Sequence, residues 1–137
     1  MLPFFEKESA DLRPRNAIAI ARAWVRGEVR VGDAQKAAVR AHAGAREVAT
    51  PTAIAAARAA GHAVATAHAA DHCLGASIYA LKAVKAAGGS VDAELAWQLK
   101  TLPKGVRMLV TSALKKRLPG ELRAVRWPRA VRQNALA

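Results

Sequence analysis

The chain of 137 residues has the length of one domain and can enclose a core of its own. It is 53% hydrophobic, but 35 of its residues are alanine and aromatics make up only 4%, which suits closely packed helices and argues against a β-sandwich or barrel. A net charge of +12 excludes an acidic disordered chain, and the apolar share excludes disorder in general.

In chain order, residues 1–12 carry Glu6, Glu8 and Asp11 and are expected to pack loosely. They lack the basic start and long apolar stretch of a secretory signal. Pro14 suits the first turn of a helix, which RNAIAIARAWVR continues with Ile18, Ala21, Trp24 and Val25 on one apolar face. Gly27 stops it. Asp33 is expected to cap the next helix, DAQKAAVRAHAGAREVA, with Ala37, Ala41, Gly44 and Val48 on a stripe. Thr50-Pro51 opens a further helical stretch that reads on for more than thirty residues. Residues 52–87 therefore form either one helix kinked near Gly75 or two helices meeting near Asp71. Gly88-Gly89 ends the stretch, and Ser90 caps VDAELAWQLKTL. Pro103 separates that helix from GVRMLVTSALKKRL, whose expected core face is Val106, Leu109, Val110, Ala113 and Leu114.

The expected fold is all-α, a single-domain bundle of five to seven helices over residues 1–137, with a basic C-terminal tail at 119–137. One cysteine, Cys73, allows no disulfide within the chain, which fits a reducing cytoplasm. The least charged stretch, Ala59 to Leu81, contains Asp71 and three histidines. An Asp at the centre of a bilayer costs about 3 kcal/mol, so this segment is expected in a soluble core and not in a membrane.

Charge is concentrated at the C-terminus. Residues 100–137 carry 10 basic and 1 acidic side chains and so supply most of the excess. Lys115, Lys116 and Arg117 end one helix, and Arg123, Arg126, Arg129 and Arg132 recur at every third position. On an α-helix those four drift around the circumference into a broad basic flank. Such a flank attracts an acidic protein surface or phosphates, so a protein partner is expected and nucleic acid is the alternative. Only one ring, Trp127, lies among the arginines, too little for a base-stacking platform.

The run HAVATAHAADHC brings His62, His68, Asp71, His72 and Cys73 together in sequence. His68 and His72, four apart on a helix, would share one face with Ala65, Gly61, Gly75 and Tyr79, with His62 well off it. The spacing matches helical metal sites, but the glutamate of a zinc-protease helix is replaced by Ala69, and a metal would need a further ligand such as His42. A polar interhelical seam of His62, His68, Asp71 and His72 is the expected role, with no metal and no cofactor. No arrangement around Cys73 marks a lowered thiol pKa or an oxyanion hole, so an enzyme is not expected. Trp24, Trp97 and Tyr79 are expected in the core.

The runs RPRNAIAIARAW, AHAGARE, AAARAAGHAVATAH and GASIYALKAV resemble the immunity proteins of bacterial polymorphic toxin systems, over roughly residues 13–88. That resemblance implies a small, alanine-rich, all-helical cytoplasmic protein that binds and neutralises a toxin, and it implies no catalytic residues. Immunity proteins that cover nucleases are usually acidic. A charge of +12 instead suits an acidic toxin surface.

Overall fold

Capping residues and glycines set most of the helix ends. The computed structural model describes residues 1–128, and those residues are helical with no strand. They form α1 (Leu2–Glu6), α2 (Arg13–Val25), α3 (Val31–Gly44), α4 (Pro51–Ala65), α5 (His72–Ala86), α6 (Val91–Thr101) and α7 (Lys104–Arg117), followed by a short 3-10 turn, Gly120–Leu122. The Thr50 hydroxyl accepts the Ala53 N–H at 3.2 Å to start α4, and Ser90 accepts the Ala93 N–H at 3.1 Å to start α6. Such caps satisfy donors that have no partner inside the helix. Past the ends of α2 and α5 the chain reverses at Gly27 and Gly88, whose φ angles of 75° and 72° an L side chain rarely adopts. Asp33 lies inside α3, where its carboxylate accepts the Arg30 N–H from the third helical position. The helix cap therefore lies three residues earlier, at Arg30, than the sequence suggests.

The long central stretch is two helices. It breaks between Ala65 and His72, and Asp71 immediately precedes α5. The Ala-rich α4 is the hub of the fold. Its buried residues, Ala53, Ala55, Ala56, Ala57, Ala59, Ala60, Gly61, Val64 and Ala65, surround its axis, as expected of a helix buried on most sides. It packs most extensively on α5 and also on α3, α2 and α1. From α5 the packing passes to α6 and α7 through a second, leucine-built cluster of Leu74, Leu81, Leu95, Leu99, Leu114, Leu118 and Leu122.

The N-terminal segment does not pack loosely. Phe5 is 1% exposed and sits among Ala45, Ala53, Ala56 and Ala83. The Glu8 carboxylate accepts the Ala49 N–H at 2.6 Å and the Thr50 N–H at 3.1 Å, and also the Thr50 hydroxyl, whose hydrogen bond pulls the Glu8 pKa down. Arg13 joins Asp11, at 2.6 Å, to Glu47. Two helix faces follow expectation only in part: Ile18 and Ala21 of α2 pack against the core, but the ends of both faces turn outward. In α2 the small residues Pro14 and Ala17 are buried, whereas Trp24 is on the border of exposure and Val25 is 77% exposed. In α7, Leu114 is buried and Val110 and Ala113 pack beside it as expected, but Thr111 is buried too, and Val106 and Leu109 are 42% and 73% exposed. Arg107 ties α7 to α6. Its guanidinium folds back on the end of α6, donating to the Lys100 carbonyl at 3.1 Å and the Leu102 carbonyl at 2.8 Å. Carbonyls at a helix C-terminus lack partners within the helix and favour a cation.

Candidate functional site

Histidines from three helices and one loop line up across the interface of α3, α4 and α5. His42 comes from α3 and His62 from α4, while His72 is the first residue of α5 and His68 lies in the loop before it. Ring centroids are 5.0 Å apart for His42 and His62, 5.2 Å for His62 and His72, and 5.0 Å for His72 and His68. The Tyr79 ring stacks on His62 at 5.2 Å. Backbone makes room for the rings. A methyl group on Gly61 would lie 2.8 Å from His42, and one on Gly75 would lie 2.6 Å from His62. Both glycines are therefore small because an imidazole occupies the space a Cβ would need.

The row differs from the expected helical pair. His68 and His72 do not share a helix, since α5 begins at His72, yet the loop still brings their rings together. His62, expected in the seam but off the face of His68 and His72, is the centre of the row: its Nδ1 lies 3.1 Å from His72 Nδ1. One of those nitrogens must donate and the other accept, so the contact is a hydrogen bond only while at least one ring is neutral. Asp71, placed in the seam by sequence, instead pairs with Arg117 of α7 at 2.9 Å. That ion pair, with His62, His72, Leu74, Gly75 and Ile78, surrounds an open depression of about 380 Å³.

Burial and positive neighbours govern the protons here. Desolvation, reinforced by His42, His72 and Arg58, pushes the His62 pKa down to about 4. Desolvation likewise lowers His42, helped by Arg58, His72 and Arg46. His42 Nδ1 is buried with no hydrogen-bond partner. Burial pushes the Cys73 thiol up from its ordinary value, so the sulfur stays protonated at neutral pH and is a poor nucleophile. Among the described residues no group of three or more His, Cys, Asp or Glu side chains is arranged to hold a metal ion. The arrangement can take up protons on falling pH, and that uptake opposes its own packing.

The basic flank is only partly helical. Lys115, Lys116 and Arg117 close α7, but Arg123 and Arg126 follow the 3-10 turn in irregular chain, and Arg129 and Arg132 lie outside the described residues. Several of its cations hold the fold. Arg117 binds Asp71, Lys115 lies 5.2 Å over the Trp127 ring, and Arg126 meets Asp92 through both its N–H, at 2.8 Å, and its side chain. Tyr79 packs partly buried against the alanine core as expected, whereas Trp97 is 61% exposed. His42 was the seam member hardest to find from sequence. The sequence offers it only as a further ligand that a metal would need, and it joins the row through the packing of α3 on α4.

No helix among the described residues is long and apolar enough to cross a membrane. No curated protein and no solved structure matches the chain. A family model does, the one described as "Imm-5 like putative immunity protein", and it matches residues 1–105, from α1 through α6 to the start of α7. With most of its length matched, and with the all-helical fold described above, this chain belongs to the Imm-5-like immunity protein family.

Proposed function

We propose that this chain is a cytoplasmic immunity protein that neutralises a toxin by binding it directly, without catalysis. The family match over residues 1–105 carries the reading. Its mechanism is occlusion. A rigid helical body covers the toxin's working surface, charge speeds and orients the encounter, and a few desolvated anchors hold the complex. Lys115, Lys116, Arg117, Arg123, Arg126, Arg129 and Arg132 supply the steering field, and with a net charge of +12 the complementary toxin surface is acidic. Exposed apolar side chains such as Trp97 and Leu109 are available as anchors.

Capture from native lysate tests this, with and without nuclease and with washes at moderate and high salt. A stoichiometric protein that survives both treatments is expected. Recovery of nucleic acid alone, released steeply by salt as counterions return to the phosphates, would move the function to nucleic-acid binding.

A further inference from the structure

Between α2 and α3 lies an open groove of about 560 Å³. Its apolar lining includes Ile20 and Ala37, both half-buried. Lys36 and Arg40 also line it, four residues apart on α3, so the two cations stand on one face a single turn apart. The other charges of the groove are already used. Arg13 is held by Asp11 and Glu47, and the Asp33 carboxylate accepts the Arg30 N–H at 3.2 Å. Lys36 and Arg40 have no ion-pair partner among the described residues, and each repels the other. An anion placed between them reverses that repulsion.

We infer that this groove is the docking site for an acidic, partly apolar peptide segment of the toxin. A carboxylate sits between Lys36 and Arg40, and a neighbouring apolar side chain rests on Ile20 and Ala37. The inference deepens the toxin-binding reading and rests on it. Charge complementarity selects an acidic occupant, and the apolar lining selects a protein over a nucleic acid. No aromatic ring lines the groove to stack a base. The groove falls wholly within residues 13–40, inside the segment matched by the family, whereas the basic flank begins at Lys115, beyond it.

The test is an NMR titration of the full, isotope-labelled chain with a short blocked peptide of glutamate and leucine. The same peptide with lysine for glutamate and a short single-stranded DNA serve as comparisons. Shifts are expected at backbone amides of α2 and α3, with the acidic peptide only. Lys36→Glu with Arg40→Glu is expected to weaken binding roughly tenfold or more, because like charges then face the ligand. Lys115→Glu with Lys116→Glu is expected to leave peptide binding as it is. Both groove residues are exposed, so melting should be unchanged; should the reversed variant unfold, Lys36→Gln with Arg40→Gln replaces it. Absence of shifts, shifts confined to residues 115–128, equal binding by the groove variant, or tighter binding of the DNA in the groove would each overturn the assignment. Neutralisation of a toxin by the groove variant would remove the groove and leave the toxin-binding reading intact. Groove binding by a chain that neutralises no toxin would do the reverse.

Discussion

The two halves of this molecule are built from different material. Around α4 the core is alanine: Ala17, Ala34, Ala38 and Ala41 from α2 and α3 meet Ala60 and Ala65, with Val64 among the few larger side chains. Around α5, α6 and α7 it is leucine throughout. Alanine gives up no rotamer freedom on burial but offers little apolar area, so the first half gains its stability from helices that approach closely. Leucine supplies roughly 1.5–3 kcal/mol per side chain through the area it removes from water. The lesson is that one bundle can be sensitive in opposite ways: its first half to added atoms and its second to missing ones.

Deletion in the leucine half gives the largest expected effect. Leu81→Ala and Leu95→Ala remove side chains that are fully buried, and each is expected to cost about 2–5 kcal/mol in chemical denaturation. Addition at the alanine half's border with α5 comes next. Gly75→Ala places a methyl group 2.6 Å from the His62 ring, and Gly61→Ala places one 2.8 Å from His42, each at an expected cost of about 1–3 kcal/mol. Gly105→Ala in α7 sharpens the contrast. Nothing lies within 4 Å of the added methyl, so a gain of up to about 1 kcal/mol is expected from helix propensity.

Proton uptake probes the same border without mutation. His62 titrates near 4 in the folded chain and near 6.5 when unfolded, so the unfolded chain binds the proton more readily. Its contribution to stability is complete above about pH 6.5 and is lost as pH falls from there toward 4. The expected loss is on the order of 1–2 kcal/mol, discounted for partial solvation of the ring. Melting curves between pH 7 and pH 4 measure it, and His62→Gln should flatten the dependence. The caps come last. Thr50→Ala and Ser90→Ala are each expected to cost ~1 kcal/mol by the same denaturation measurement, with Thr50 at the upper end because its hydroxyl also holds Glu8.

Helix ends were legible wherever one residue type has one physical use, as at Thr50, Ser90, Gly27 and Gly88. Helix rotation was legible only in part. Alanine is apolar on every side of α4, so neighbouring helices receive no phase from it, and the bulky residues of α2 that read as a core face, Trp24 and Val25, end outside while Pro14 and Ala17 pack inward. In α7, Arg107 binds carbonyls of α6, a contact between helices that no spacing within α7 encodes. The histidine seam was half visible for the same reason. His62, His68 and His72 are close in sequence, but His42 reaches them only through the packing of α3 on α4.

A growth assay tests the central claim most directly. The protein recovered by capture is expressed in a bacterial host, alone and together with this chain. Arrest of growth by the recovered protein alone, relieved by co-expression of this chain, is the expected result. A recovered protein that does no harm, or one whose toxicity persists with this chain abundant and folded, would contradict neutralisation by direct binding.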